Sequence, residues 1–226
     1  MKPDYQWHYL ETADQVAEAA CKEILAAAKS TIGGHGKFKL VLAGGTTPEK
    51  VYRLLAQSEA DWSKWCIYYG DERCLPIDHK DRNSAMATKA LLDHVPIPAT
   101  QIFTMPAELG PEQGADLYRK TVADALPFDL VLLGMGEDGH TASLFPGHQH
   151  NLHDLTHAVY SSPKPPPERV SMSTKALSNS RQVIFLVTGA NKRDAVQLWR
   201  SGADLPIAAI NANKITIMLD REAAQD

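Results

Sequence analysis

The stretch FDLVLLGMGEDGHTASLFPG (residues 128–147) joins an apolar strand to a turn of unusual composition. Residues 130–133 form a near-continuous apolar run, as in strands that are buried on both faces of a parallel sheet. Gly134, Gly136 and Gly139 follow, and glycine lets a backbone bend sharply and approach another group closely. We therefore expect this turn to present the polar residues Glu137, Asp138 and His140.

The rest of the chain alternates strand-like and helix-like segments. Strands are predicted at residues 38–43, 65–69, 130–133, 183–187 and 215–219, and helices at residues 11–30, 48–57, 83–92, 111–126 and 190–200, with a loop at IGGHG (residues 32–36). This alternation predicts βαβ units. We expect a single α/β domain over residues 1–226, with an open, mostly parallel, Rossmann-like sheet flanked by helices on both faces.

Composition excludes several classes of protein. The chain has 226 residues, 44% hydrophobic and 22% charged, which is the balance of a globular domain. No apolar run approaches the roughly 18 residues that span a bilayer, and the polar, acidic N-terminus lacks the apolar region of a signal peptide. Cys21, Cys66 and Cys74 are odd in number and include no C-x-x-C pair, so a disulfide framework or a zinc ribbon is not expected. We predict a cytoplasmic protein with free thiols.

Charge points to a small anionic ligand. The net charge of −4 and the absence of a dense basic run argue against nucleic acid. A small anion would instead need local basic residues and backbone amides. Polar sequences follow four apolar runs, namely GGTTP, GDER, GMGEDGH and TGANKR. Ligands of open α/β sheets bind beyond the carboxyl ends of strands, so this concentration predicts an enzyme site.

The GGTTP segment predicts a phosphate site. The amides of Gly44, Gly45 and Thr46 would lie at a helix N-terminus, where the partial positive charge favours anions. Thr47 would cap this helix and Pro48 would occupy its first position. A plain strand-to-helix turn that binds nothing is the equal alternative.

Two further strand ends carry candidate catalytic residues. Asp71, directly after a strand, is expected to face the cleft beside Arg73, although an exposed turn with an internal ion pair explains GDER equally well. Histidine has the unperturbed pKa that suits proton transfer near neutral pH, which makes His140 the candidate base. Asp138 would either orient the imidazole or lie on the opposite wall.

Basic residues and histidines occur in three more segments. SSPKPPPERV is either an exposed polyproline linker or a stiff loop that carries Lys164 and Arg169 over the cleft. Lys192 and Arg193 lie at a predicted helix start, where the helix dipole disfavours cations unless an anion is bound. A metal site would draw on four histidines within GHQHNLHDLTH, namely His148, His150, His153 and His157. No HExxH pattern is present there, and we expect an exposed polar loop without metal.

Five segments, taken in order, resemble the 6-phosphogluconolactonases, which share a superfamily with glucosamine-6-phosphate isomerase/deaminase. They are GGTTPEKVY, GDERCLPIDHKDRNSAM, FDLVLLGMGEDGHTASLFPG, PPPERVSM and VTGANKRDAV, and the resemblance covers nearly the whole chain. It implies the sugar-phosphate isomerase type of fold and hydrolysis of 6-phospho-D-glucono-1,5-lactone in the pentose phosphate pathway. It implies no cofactor and no metal.

The resemblance also implies residue roles. His140, with Asp138 and Asp71, would form the catalytic group. Binding of the 6-phosphate would fall to Gly44, Gly45, Thr46, Arg169 and Lys192, while Asp71 and Arg73 line the sugar end. Expected partners are a small phosphosugar lactone, no nucleic acid, no membrane and at most a weak homodimer.

Two other functions stay open at this point. One is a sugar-phosphate isomerase or deaminase of the sister family, whose members carry a glutamate five residues after the histidine, where this chain has Phe145. The other is a non-enzymatic sugar-phosphate sensor, which would need an appended DNA-binding unit for which one α/β domain of this length leaves no room.

Overall fold

The computed structural model describes residues 5–149, 151 and 153–225, and its centre is a six-stranded parallel sheet. The strands in chain order are β1 (Tyr5–Leu10), β2 (Phe38–Leu42), β3 (Trp65–Tyr69), β4 (Asp71–Arg73), β5 (Phe128–Gly134), β6 (Thr156–Val159), β7 (Arg169–Met172), β8 (Ser180–Val187) and β9 (Lys214–Asp220). The large sheet has the order β1-β9-β8-β5-β2-β3, and every neighbouring pair in it is parallel.

A second, antiparallel sheet of three strands has the order β4-β7-β6. It was not predicted, because strands of three or four residues are too short to show a hydrophobic period. Only Gly70 separates β3 from β4, so the chain passes directly from one sheet into the other. This sheet places Asp71 and Arg169 on neighbouring strands.

The α-helices pack against both sheets. They are α1 (Ala13–His35), α2 (Thr46–Ala56), α3 (Asn83–Ala90), α4 (Pro111–Ala125), α5 (Thr174–Ser178), α6 (Arg193–Arg200) and α7 (Arg221–Ala224). Helices α1 and α2 contact each other and the strands of the large sheet, whereas α4 contacts β6 and β7. The predicted fold class, an α/β domain with a mostly parallel sheet flanked by helices, is confirmed. No helix in the described ranges is long and apolar enough to cross a membrane.

One local prediction was wrong, and one strand was not predicted. IGGHG is not a loop, because α1 continues through His35 and ends at Gly36, whose φ of 83° suits glycine. Packing of the buried stripe of α1, which includes Val16, Ala20 and Ile24, outweighs the cost of about 1 kcal/mol for each helical glycine. The polar N-terminus contains β1, which pairs with β9 along its whole length.

The topology creates a crevice between β2 and β5. From β2 the chain adds β3 on one side and later places β5, β8 and β9 on the other, so the direction of sheet growth reverses at the β2–β5 pair. Ligands of open α/β sheets bind outside the carboxyl ends of strands at such a reversal. The GGTTP segment and the glycine turn follow these two strands.

Candidate active site

A cleft of about 220 Å³ lies at the reversal point. Its walls come from the ends of β2, β3, β5 and β8 and from the chain before β7. The lining residues are Ala43, Gly44, Gly45, Asp71, Arg73, Asn83, Gly134, Met135, Gly136, Glu137, His140, Thr141, Ala142, Lys164, Arg169 and Lys192. The structure thus brings together most of the residues that the sequence singled out.

One wall is the His140 turn (residues 134–140), which is folded onto itself by local hydrogen bonds. The backbone N–H of Gly136 donates to the His140 carbonyl at 2.8 Å, and the N–H of Gly139 donates to the Gly136 carbonyl at 3.1 Å. The Thr141 hydroxyl donates to the Gly134 carbonyl at 2.8 Å. The backbone of the turn therefore fixes where the imidazole lies.

Two of the three glycines in this turn are required by their surroundings. A Cβ atom on Gly136 would lie 2.0 Å from Nδ1 of His140, and one on Gly139 would lie 2.9 Å from Cδ1 of Leu205. Gly139 also has a φ of 81°, which side chains disfavour. A Cβ atom on Gly134 would meet nothing within 4 Å. The His140 ring occupies the space that a side chain at position 136 would need.

The imidazole is oriented by Asp138. Nδ1 of His140 lies 2.5 Å from Oδ1 of Asp138, and the same oxygen accepts the His140 backbone N–H at 3.1 Å. Burial raises the pKa of Asp138, but the hydrogen bonds from His140 outweigh burial and hold this pKa below its ordinary value. An ionised carboxylate only accepts, so Nδ1 is the donor in this pair, and in the neutral form of the imidazole the lone pair is on Nε2. Of the two positions predicted for Asp138, the structure has the orienting one.

Behind the imidazole lies Phe145. Its ring is buried, with its centroid 4.6 Å from that of His140 and an interplanar angle of 47°. The Arg169 guanidinium lies 5.7 Å from the centroid of the Phe145 ring on this side. The ring in contact with His140 at this position is therefore apolar and cannot transfer a proton.

Asp71 is a buried carboxylate held by three groups. It accepts the Ser143 hydroxyl at 2.6 Å and the Asn83 amide at 3.0 Å, and Nη1 of Arg169 lies 3.9 Å away. Sequence reasoning did not single out Asn83 or Ser143. Ser143 lies within ASLFPG, and Asn83 starts α3. Their link to Asp71 depends on the small sheet and has no signal in residue spacing.

The other carboxylate of GDER has a structural role. Glu72 is fully buried and accepts the backbone N–H groups of Asn83 at 2.7 Å and Ser84 at 2.8 Å. The buried guanidinium of Arg82 pairs with it at 3.5 Å. Glu72 thus caps α3, and the alternative of an exposed turn with an internal ion pair is wrong.

The GGTTP segment turns at the mouth of the cleft. Gly45 is the N-cap of α2 with a φ of 110°, and a Cβ atom on Gly44 would lie 2.1 Å from Oδ1 of Asn83. Thr46 is exposed at the start of α2 and is not among the lining residues. The prediction that Thr47 caps the helix is wrong, because α2 begins at Thr46, two residues before the predicted start at Pro48, and its N-cap Gly45 has no side chain to accept a hydrogen bond.

Thr47 instead ties two strand ends together. Its hydroxyl lies 2.6 Å from that of Thr188, at the end of β8. This contact brings the GGTTP segment next to Gly189 and Lys192. The anion-binding predictions made separately for GGTTP and for Lys192 therefore refer to the same place in the fold.

Two basic residues of the cleft keep free donor capacity. Arg73 donates from Nη1 to the Asp81 carbonyl at 2.5 Å, and its buried Nε finds no hydrogen-bond partner among the described residues. The ammonium of Lys192 likewise has no hydrogen bond or ion pair in that part of the chain, and burial lowers the pKa of Lys192. Arg193 points away from the cleft and donates to Glu222 and Gln225.

Arg169 holds the Pro-rich loop (residues 160–168). It is the first residue of β7 and only 4% exposed. Nε donates to the Pro166 carbonyl at 3.2 Å, and Nη2 donates to the carbonyls of Lys164 at 2.9 Å and Pro165 at 3.2 Å. The loop is thus folded around a guanidinium, which is the stiff-loop alternative of the sequence rather than a free linker.

The histidine-rich segment lies at a separate cavity. His148 and the buried His157 line a space of about 340 Å³ behind Phe145, and His153 is exposed. His150 lies outside the described residues. Within the ranges that the structure describes, no group of three or more His, Cys, Asp or Glu side chains could hold a metal ion. The expectation of a metal-free enzyme stays a prediction.

Comparisons with known proteins agree with one another. The model of the family "Glucosamine-6-phosphate isomerases/6-phosphogluconolactonase" matches residues 11–219. A 6-phosphogluconolactonase of Mycobacterium tuberculosis is 38% identical over 94% of each chain. The crystal structure of 6-phosphogluconolactonase from Thermotoga maritima has a TM-score of 0.90 at 27% identity and covers 96% of this chain and 100% of that one.

The fold alone does not separate the two activities of this family. A monomeric glucosamine-6-phosphate deaminase matches with a TM-score of 0.86 at 22% identity, covering 97% of this chain and 98% of the other. Residues of the cleft must therefore distinguish the two reactions.

Proposed function

This chain belongs to the family of glucosamine-6-phosphate isomerases and 6-phosphogluconolactonases, and we propose that it hydrolyses 6-phospho-D-glucono-1,5-lactone to 6-phospho-D-gluconate. The observation that carries the proposal is the His140–Asp138 pair, oriented in a cleft whose other wall offers backbone amides and a free lysine. A lactone is an activated ester, and its hydrolysis needs a base, an oriented water and donors for the developing oxyanion.

In the proposed reaction His140 acts through Nε2. It takes a proton from water as the water oxygen bonds to the lactone carbonyl carbon, and Asp138 stabilises the imidazolium that forms. The tetrahedral intermediate then collapses and its bond to the ring oxygen breaks. The imidazolium returns its proton to that oxygen, which becomes a hydroxyl group. The new carboxylic acid ionises near neutral pH, so each turnover releases one proton to the solvent.

The phosphate is assigned to the side of the cleft where α2 begins. The amides of Gly44, Gly45 and Thr46 and the ammonium of Lys192 supply positive charge there. Arg169 belongs to the same assignment, although contact with phosphate would require it to release carbonyls of the Pro-rich loop.

Asp71 and Arg73 are assigned to the sugar end. The oxyanion has two candidate donor types, Arg73 and the amides of the His140 turn. Gly136 and Gly139 already donate to carbonyls, whereas Nη2 of Arg73 makes no hydrogen bond to a described residue. Arg73 is therefore the donor that the geometry favours.

Phe145 argues against a deaminase reaction. That reaction must open a sugar ring and move a proton between adjacent carbons, and the sister family carries a glutamate at this position. A buried phenyl ring against His140 can neither donate nor accept a proton. We expect no ammonia release from glucosamine 6-phosphate.

A cytoplasmic location is part of the proposal, and the free thiols of Cys21, Cys66 and Cys74 support a reducing compartment. Nucleic acid and membranes are not proposed as partners. A weak homodimer stays an expectation from the sequence.

The activity is tested by mixing purified protein with freshly generated lactone and following proton release against the spontaneous rate. Acceleration is expected, and none would contradict the proposal. Lys192→Ala should lower the preference for phosphorylated over unphosphorylated gluconolactone about tenfold or more, since a charge-assisted contact is lost. An unchanged preference would remove Lys192 from the phosphate site.

A further inference from the structure

At the mouth of the cleft, one exposed carboxylate lies among positive and amide donors. Glu137 pairs through Oε1 with the ammonium of Lys164, and its Oε2 lies 3.4 Å from the side-chain amide of Asn191. These residues come from three separate segments: the His140 turn, the Pro-rich loop and the turn after β8. Glu137 therefore crosslinks the rim of the cleft.

The pair lies beside the residue that is assigned to phosphate. Burial lowers the pKa of Lys192, the carboxylate of Glu137 opposes this effect, and the charge of Lys164 adds to it. Both members of the pair are thus within electrostatic reach of the Lys192 ammonium. Glu137 and Lys164 also line the same cleft as Lys192.

Lys164 is held at the rim by its backbone. Arg169 binds its carbonyl at 2.9 Å, and the Ser162 hydroxyl donates to the same carbonyl at 2.8 Å. Only the flexible side chain of Lys164 needs to move for its ammonium to change partner. The loop supplies a positive charge at a fixed place.

We propose that Lys164 is a further phosphate-binding residue and that Glu137 is its resting partner, which the phosphate of the substrate displaces. The proposal rests on the proposed function for the identity of the substrate. Lys164 and Glu137 are 46% and 48% exposed, and an ion pair in such an exposed position contributes little to stability. A phosphate group carries about −1.5 to −2 charges near neutral pH and so outcompetes one carboxylate.

Glu137 then has a definite effect on affinity. Its negative charge repels any phosphate that enters and competes for Lys164, so it weakens the binding of substrate and of product alike. The product of the proposed reaction keeps the phosphate group. Weaker phosphate binding therefore lets the product leave the enzyme sooner. Glu137 is in this sense a specificity and release residue and takes no part in proton transfer.

The test measures binding of inorganic phosphate by calorimetry, which requires no turnover. Glu137→Gln should tighten phosphate binding about three- to tenfold, because a nearby like charge is removed. Lys164→Met should weaken it by a similar factor. Adding Glu137→Gln to Lys164→Met should tighten phosphate binding less than Glu137→Gln does in the wild type, because in the double variant there is no Lys164 ammonium to release.

Matched controls remove similar charges elsewhere. Lys50→Met breaks the exposed pair with Asp14, in which Lys50 is 47% exposed, and Glu11→Gln breaks the pair with Arg221. Both controls should bind phosphate as the wild type does. Weaker or unchanged binding in Glu137→Gln would overturn the proposal, and so would unchanged binding in Lys164→Met.

A second readout separates this proposal from the proposed function. In Glu137→Gln the KM for the phosphorylated lactone and the inhibition constant of the product should both fall. If the protein lacks lactonase activity but the phosphate titrations behave as expected, only the proposed function fails. If activity is present and the titrations show no difference, only the role of the pair fails.

Discussion

The two walls of the cleft are held in different ways. The His140 turn is fixed mainly by hydrogen bonds between nearby residues, such as the Thr141 hydroxyl to the Gly134 carbonyl, together with one from the Ile207 backbone N–H to the Gly139 carbonyl at 3.2 Å. The Pro-rich loop is fixed by the Arg169 guanidinium and by an exposed ion pair with Glu137, 27 positions away in the chain. The first wall is held mainly by backbone and hydroxyl hydrogen bonds, whereas the second is held by charged side chains, namely Arg169 at the start of the next strand and Glu137 of the His140 turn. Catalysis is therefore expected to depend on the first wall and affinity on the second.

The largest effect is expected for His140→Ala. Loss of a general base typically lowers kcat about 10²- to 10⁴-fold, while binding of inorganic phosphate should be retained. An assay of lactone hydrolysis checks the loss of activity, and calorimetric titration of the same preparation with inorganic phosphate checks that binding is retained. A fully active His140→Ala would contradict the assignment of the base.

Gly136→Ala should break the first wall without removing a catalytic group. The new methyl group would lie 2.0 Å from the His140 ring, so the imidazole must leave Asp138. A displaced base is expected to lower kcat about 100-fold, with a smaller change in KM.

Gly34→Ala is the matched control for this substitution. A Cβ atom on Gly34 meets nothing within 4 Å in α1, and the exchange should raise stability by about 0.5–1 kcal/mol while activity is kept. Wild-type kcat in Gly136→Ala, together with an unchanged imidazole NMR signal, would show that the turn tolerates the methyl group.

Arg169→Lys should loosen the second wall. Lysine keeps the charge but loses the fork that binds three loop carbonyls. We expect kcat/KM to fall about 10- to 30-fold, mainly through KM, and residues 160–168 to become sensitive to a non-specific protease.

The control for Arg169→Lys is Arg53→Lys, at an exposed pair with Glu49 on α2. It should behave as the wild type does in both assays. If Arg169→Lys instead lowers kcat at unchanged KM, the loop acts on the chemistry and the contrast between the two walls is wrong.

The smallest effect is expected from a strong chelator. The proposed base is His140, and a lactone carbonyl reacts without a Lewis acid, so dialysis should leave the rate unchanged. If the chelator abolished activity and zinc restored it, the prediction of a metal-free enzyme would be wrong, and the histidine-rich segment would be the candidate metal site.

Much of the site could be predicted because it follows strands. The apolar run before Gly134 predicts a buried parallel strand, and the carboxyl ends of such strands meet at one edge of a sheet. His140, Asp138, Asp71 and Gly44 were located by this rule alone. Their residue types limited the chemistry to proton transfer and anion binding.

Roles that depend on distant partners could not be predicted. The contacts of Arg169 had no signal in the sequence: each of its nitrogen atoms faces a loop carbonyl, Ser143 or Asp71, and its expected contact with phosphate stays a prediction. Asp71 and Glu72 are adjacent in sequence, yet one faces the cleft and the other caps α3, because successive residues of a strand point to opposite sides.

The sequence by itself predicted the parallel sheet, the edge of the sheet where the cleft lies, and His140 as the candidate base. These features depend on local properties, namely hydrophobic period, glycine conformation and side-chain chemistry. Only the tertiary structure decided the strand order that opens the crevice between β2 and β5, the small sheet that unites Asp71 with Arg169, and the pair of Glu137 with Lys164. Those contacts join residues far apart in the chain, and their free energy depends on distances and burial that residue order does not contain.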